Sequence, residues 1–316
     1  MNSSNRVPLS FEALEDGLSI SFSNEILYCI NGGVWETLLA EEHTEEVNKG
    51  SVISFRHAKS FLGGGSIGNF SINKKCNVFG VCSSIIPKVL GEKYMSEYLF
   101  YGLFRRCDTI VDASKLELPT ILANFCFHEM FYGCTSLVNA PALPATTLAV
   151  SCYSSLFYGC TSLVNAPALP ATTLMGDCYN TMFRGCSSLT TAPELPATTL
   201  ASSCYYCMFE GCTSLTTAPT LPATTLANYC YQRMFYGCSK LNYIKMLATD
   251  KSATNCLEVW VKGVASTGTF VKKPAMNSLP TGVDGIPSGW TVVDDGEEIG
   301  GGKIVNKVQL VEGEFD

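Results

Sequence analysis

The sequence predicts an α+β solenoid, and three observations predict it. Cys126, Cys152, Cys178, Cys204, Cys230 and Cys256 stand 26 residues apart. Cys134, Cys160, Cys186, Cys212 and Cys238 form a second column in the same phase. Between the columns the text barely changes: residues 134–148 read CTSLVNAPALPATTL and 212–226 read CTSLTTAPTLPATTL. A period of this size marks units that bury their apolar faces only by stacking on their neighbours. Columns of identical residues suit a stacked core and argue against an enzyme.

The first element along the chain, residues 1–90, reads as an all-β, sandwich-like module. LSISFS (18–23) alternates apolar and polar residues. ILYCINGGVWETL (26–38) is two strand-like runs around Asn31-Gly32-Gly33, a hairpin signal. SVISFRH (51–57) and NFSINKKCNVFGV (69–81) supply further strands, and this density suits a small sandwich or barrel. Residues 91–261 form the solenoid. Met95, Leu99 and Leu103 recur every four residues as on a helix face, and Phe104-Arg105-Arg106-Cys107 echoes the later Phe-Tyr-Gly-Cys, so this region is a degenerate first repeat that caps the array.

Each repeat divides in two. Leu200, Cys204, Met208, Phe209 and Cys212 fall on a helical stripe, with Thr198 or Thr199 as N-cap and Gly211 ending it at positive φ. The half from Leu215 to Leu221 is a short extended run in which Pro219 cannot donate to a sheet ladder, so the strand is short or irregular. A short helix plus a short strand per turn gives a solenoid of leucine-rich-repeat type. Residues 262–293 form a C-terminal β cap with strand-like TGTFVK (267–272) and WTVV (290–293). In 294–316 a Gly-rich hinge precedes the alternating run KIVNKVQLV. Two readings of that run stand open: a strand that pairs with a partner, or a tail.

The chain has 316 residues and a net charge of −7, which indicates neither a nucleic-acid footprint nor a basic membrane patch. Between 126 and 238 the charged residues are Glu129, Asp177, Arg184, Glu194, Glu210 and Arg233, so the surface there is mainly Thr, Ser, Asn, Ala and Tyr. No run approaches the 18 or so apolar residues that span a bilayer, and the first residues show no secretory pattern. The sixteen cysteines read as buried reduced thiols rather than disulfides or zinc ligands, because a column spreads its members along an axis whereas zinc ligands converge.

No residue is assigned a catalytic, cofactor or metal role. His128 lies near Cys126 and Cys134, but both cysteines belong to columns whose other rungs lack His. Cys204-x-x-Cys207 lacks a redox-fold context, and Cys207 sits in a slot held elsewhere by Glu129, Ser155, Thr181 and Arg233, which reads as surface. GGGSIG (63–68) reads as a turn.

The slots that vary are more informative. After each first-column cysteine they run His128, Ser154, Asn180, Tyr206, Gln232; then Glu129, Ser155, Thr181, Cys207, Arg233; then Tyr132, Tyr158, Arg184, Glu210, Tyr236. On a helix these share the face opposite the buried stripe. Drift on a solvated face explains the variation, and so does a recognition surface. The candidate ligand-binding residues are Tyr158, Arg184, Tyr206, Glu210, Arg233 and Tyr236. The threonine ladders at Thr146, Thr147 and their copies read as helix N-caps in preference to an ice-binding array.

Met-Phe-x-Gly-Cys-x-x-Leu-x-x-Ala-Pro-x-Leu-Pro resembles the phenylalanine/cysteine-type leucine-rich repeats of BspA-like proteins, found in gut Bacteroidetes and in their phages and prophages. The resemblance covers roughly 95–260 and departs in carrying Ala-Pro where many relatives have an isoleucine-rich strand. It implies surface adhesion and ligand binding without catalysis. The expected function is therefore non-enzymatic adhesion or receptor binding, in a phage virion assembled in the bacterial cytoplasm as a fibre or decoration protein. A bacterial cell-surface adhesin is the alternative, and a catalytic module a distant third. The expected partners are a host surface glycan or protein, other virion subunits, or a second copy through the N-terminal module or C-terminal strand. No cofactor, nucleic acid or membrane insertion is expected.

Overall fold

The computed structural model describes residues 7–58, 65–90 and 94–296. Its N-terminal part is built on a six-stranded sheet. In chain order the strands are β1 Leu9–Ala13, β2 Ile20–Phe22, β3 Ile26–Ile30, β4 Glu36–Leu38, β5 Val52–Arg56, β6 Phe70–Ile72, β7 Cys76–Val81 and β8 Ile110–Glu117. The large sheet runs β4-β3-β5-β1-β7-β8, and β2 pairs with β6 in a small second sheet. The two meet through aromatic rings: Phe70 lies 5.1 Å from both Phe11 and Phe55, and 4.5 Å from Phe22.

The β3–β4 hairpin turns at the expected place. Asn31 and Gly32 both have positive φ, and the Gly33 N–H donates to the Ile30 carbonyl at 2.9 Å. Positive φ at both central residues is what a type I′ turn requires. The strand absent from the sequence reading is β1, which sits between β5 and β7. Its Leu9, Phe11 and Ala13 alternate with Ser10 and Glu12 and join the core, while Ser10, fully buried on the opposite face, bonds the Ser54 hydroxyl at 2.8 Å.

Unlike its neighbours, β8 pairs with β7 in parallel, and it also starts the ladder of the repeats. Parallel bridges link Asp112 to Asn139, Asn139 to Asn165, and Asn165 to Thr191. Further on, Thr217 bridges Tyr243 in β9 (Tyr243–Met246), which pairs in parallel with β10 (Thr269–Lys272) and that with β11 (Thr291–Asp294). Packing is continuous too: Phe104 of the first rung lies 5.8 Å from Phe70, and one apolar core runs from Leu9 to Trp290. Position 90 therefore marks where the sequence starts to repeat, while the core and the hydrogen bonding carry on across it.

The helix expected in each repeat is not there. Among the described residues the helical structure is the 3₁₀ turn Cys82–Ile85. From Phe125 to Cys134 successive N–H groups alternate in direction. Those of Cys126, His128, Met130, Tyr132 and Cys134 close local turns on carbonyls three residues back, while those of Phe125, Phe127, Glu129, Phe131 and Gly133 donate to the next rung. Phe125, Glu129 and Gly133 have positive φ, and the same positions repeat at Ser151, Ser155 and Gly159 and onward. Positive φ at the third position of alternate turns is what type II turns require, and no α-helix tolerates it. Apolar residues four apart thus share a face in this turn chain much as they would on a helix. The N-cap role given to Thr198 and Thr199, and to Thr146 and Thr147, disappears with the helix. Instead Thr147 bridges Thr173, and Thr173 bridges Thr199. Met95, Leu99 and Leu103 likewise lie outside any helix, with Leu99 and Leu103 fully buried.

Inside the rungs, like stacks on like. Met182, Phe183, Met208 and Phe209 are fully buried. Phe131, Phe157, Phe183, Phe209 and Phe235 form one column with successive ring centroids 5.7, 5.7, 5.7 and 5.8 Å apart. Phe127, Tyr153, Tyr179, Tyr205 and Tyr231 form a second at 5.8, 6.1, 5.9 and 6.1 Å. Near-parallel rings at these spacings fall in the favourable range for aromatic pairs. All sixteen cysteines are buried and unbridged.

The far end of the stack is closed by side chains rather than by another rung. Trp260 is fully buried and donates to the Gly285 carbonyl at 2.9 Å. Asp284 accepts from the Val259 N–H, and Trp290 donates to the Ala265 carbonyl. Lys245 and Lys273 both pair with Asp295, and Lys272 with Asp294. The run KIVNKVQLV lies outside the described residues.

Candidate functional site

The three variable slots do share one side of the stack, carried by the turn chain rather than by a helix. Because each rung repeats the same alternation of local and inter-rung hydrogen bonds, slot positions of successive rungs lie beside one another. Their side chains interlock. Tyr132 and Tyr158 stack at 4.6 Å and 10°. Arg184 lies over the Tyr158 ring at 5.4 Å, and Arg233 over the Tyr236 ring at 4.1 Å. Between the two arginines sits Glu210. Its Oε1 pairs ionically with Arg184 Nη2 at 3.0 Å and accepts from Arg233 Nη2 at 2.9 Å, and its Oε2 accepts from Arg233 Nε at 3.0 Å. The row continues at both ends: Arg105 lies over Tyr132 and pairs with Glu129, and Lys262 lies 5.7 Å from the Tyr236 ring.

Five of the six candidates therefore belong to one contact chain. Tyr206, half-buried beside Cys207, stands next to it; burial and then Cys207 push its phenol pKa up. Two expectations need correction. Glu210 is buried, and Cys207, expected at the surface, is 1% exposed. The cause is the same for both: arginine side chains from neighbouring rungs lie across the slot. Burial alone would raise the Glu210 pKa. Hydrogen bonds from Arg233 and Cys207, with the Arg184 and Arg233 charges, outweigh it and hold the carboxyl below its usual range. For Cys207 burial and the adjacent carboxylate act together and push the thiol up to about 12.

The cysteine–histidine constellation has unsuitable chemistry. His128 stacks on Tyr101 at 5.4 Å with its Nε2 3.7 Å from Glu129, and burial lowers its pKa. Burial pushes the Cys126 thiol up to about 12 and Cys134 well above its ordinary value. A cysteine nucleophile needs the opposite shift. The second-column thiols instead donate backward. Cys134 bonds the Phe104 carbonyl at 3.0 Å, and Cys160, Cys186 and Cys212 bond the carbonyls of Phe131, Phe157 and Phe183 at 3.1 Å. Among the described residues no group of three or more His, Cys, Asp or Glu could hold a metal ion, and no helix is long and apolar enough to cross a membrane.

The pairing of Arg184 with Glu210 had a signal in the sequence: opposite charges occupy the same slot of successive copies. Arg233 carried no such signal, because it comes from a different slot and reaches back to Glu210. No protein-family model, curated protein or solved structure matches the chain.

Proposed function

We propose that this chain is a non-enzymatic adhesion or receptor-binding protein, a BspA-like solenoid of leucine-rich-repeat type that serves in a phage particle as a fibre or decoration subunit. One observation carries the reading. The backbone and core columns repeat almost without change from rung to rung, while one lateral row changes and holds Tyr158, Arg184, Glu210, Arg233 and Tyr236 in mutual contact. A rigid frame that presents a varied row of Tyr and Arg suits recognition, since these residue types dominate the energetics of interfaces. The repeat motif's resemblance to adhesive proteins supports the same reading and supplies the phage setting.

The test uses the full chain. Fluorescently labelled protein is presented to a panel of gut Bacteroidetes cells, alongside Tyr158→Ala, Tyr206→Ala and Tyr236→Ala variants with unchanged melting temperatures. Binding of the parent and its loss in these variants is the expected result. Binding that survives all three places recognition in the N-terminal module. Absence of binding to any surface in the panel overturns the adhesion reading.

A further inference from the structure

The Arg184–Glu210–Arg233 cluster contains more positive charge and more donors than its own contacts use. Two guanidinium groups converge on one carboxylate and meet at the same oxygen, Oε1, at 3.0 and 2.9 Å. Glu210 is buried between them, with 9% of its side chain exposed, whereas Arg184 and Arg233 keep 38% and 33% of theirs in solvent. A guanidinium has five N–H groups. Arg233 donates two of them to Glu210, and Arg184 meets the same carboxylate as an ion pair. The exposed edges therefore point unpaired donors and an excess positive charge outward. Lys262, 5.7 Å from the Tyr236 ring, adds a further cation. On the next rung the exposed carboxylate of Glu258 is engaged by Gln232 at 2.6 Å.

The surroundings narrow the ligand. The rings here are already engaged, Tyr158 by Tyr132 and Arg184, and Tyr236 by Arg233 and Lys262. A ligand meets hydroxyls, ring edges and guanidinium edges rather than a stacking platform. The exposed aliphatic side chains Val138, Val164 and Met175 all lie outside these columns, so the face lacks the apolar centre of a protein–protein interface. We infer that Arg184 and Arg233 together form an oxyanion subsite for an acidic glycan, binding the carboxylate of a uronic-type sugar or a sulfate ester while the hydroxyls of Tyr158, Tyr206 and Tyr236 meet the neighbouring sugar oxygens. This deepens the adhesion reading and rests on it. Forked donors facing outward suit a planar or tetrahedral oxyanion better than a lysine would.

Calorimetric titration of the full chain tests it with four oligosaccharides and one peptide. A hyaluronan tetrasaccharide carries carboxylate alone, a κ-carrageenan oligosaccharide sulfate alone, chondroitin 4-sulfate both, and chitotetraose neither; oligoglutamate is the acidic peptide. At least one acidic oligosaccharide binds and chitotetraose does not. Arg184→Gln and Arg233→Gln each weaken binding about tenfold, the loss of one charge-assisted hydrogen bond. Arg184→Lys, which keeps the charge but loses the fork, weakens it less. Binding also weakens as salt rises. The first two oligosaccharides tell carboxylate from sulfate. Equal binding of chitotetraose, preference for oligoglutamate, no binding of any acidic oligosaccharide, or indifference to the arginine variants each overturns the inference. Cell binding by the parent chain that the arginine variants leave intact overturns the subsite while the adhesion reading stands.

Discussion

Cys160 donates its thiol proton to the carbonyl of Phe131, 29 residues earlier and one rung back, across 3.1 Å. That carbonyl already accepts the Cys134 N–H in its own rung, so the thiol takes up its second lone pair. This gives cysteine a reason to recur in the second column beyond its size. Cys160→Ala loses a weak buried donor and leaves a small void, and a loss of about 1–2 kcal/mol is expected in urea denaturation. Cys160→Val, larger and without a donor, is expected to be at least as costly because the column leaves no room for it.

The same burial makes a prediction about reactivity. In native protein at pH 8 a disulfide-exchange reagent is expected to leave the thiols essentially unmodified, since burial raises the thiol pKa throughout the columns. In denaturant without reductant all sixteen should react. Thiols that appear only after reduction would contradict the unbridged columns.

Glu210→Gln is expected to destabilise the fold by about 1–3 kcal/mol, because it leaves two arginines over a neutral amide. The pH dependence follows from the sign of the shift. The folded carboxyl titrates below its unfolded value, so its contribution is complete above the unfolded pKa and is lost as pH falls through the folded one. Urea titrations from pH 7 down to pH 3 should show this loss in the parent chain and a shallower decline in the variant.

Two glycines separate space from backbone conformation. Gly185 has φ of +75°, and a Cβ there would lie 3.7 Å from the Gly159 Cα, an ordinary contact. Gly185→Ala is therefore expected to cost about 1–2 kcal/mol through φ alone. Gly176 lies outside the positive-φ set and has comparable space, 3.9 Å from the Ser202 carbonyl oxygen. Gly176→Ala should be neutral or slightly stabilising.

Deleting residues 160–185 joins Gly159 to Cys186 in the phase that Gly159 had with Cys160. A chain one rung shorter should fold with the same circular-dichroism shape and a modestly lower melting temperature, whereas deleting half that length should abolish cooperative unfolding.

The rung period, the core columns and the hairpin at Asn31-Gly32 could be read directly from residue spacing. The helix could not be told from the turn chain, because Cys126, Met130 and Cys134 recur every four residues and a helix brings such residues to one face as well. What separates the two is the sign of φ at Phe125 and Glu129, where non-glycine residues give no warning. Strand β1 was legible as well, in the alternation of Leu9, Phe11 and Ala13 with Ser10 and Glu12. The burial of Glu210 and Cys207 depends on arginines that reach in from adjacent rungs, and a single repeat read in isolation contains neither.

The stack of rungs between β8 and β11, joined by the turn chains where the strand bridges lapse, has a mechanical consequence. Its inter-rung hydrogen bonds run along the long axis, so tension between the two ends loads the rungs in series. Strength under such a load is set by the weakest junction, and adding identical rungs lengthens the reach of the molecule without weakening it. The central junctions carry the turn chain's five inter-rung hydrogen bonds besides their bridges, whereas β11 meets β10 beyond the last full set of them, and that is where a stretched molecule would first part.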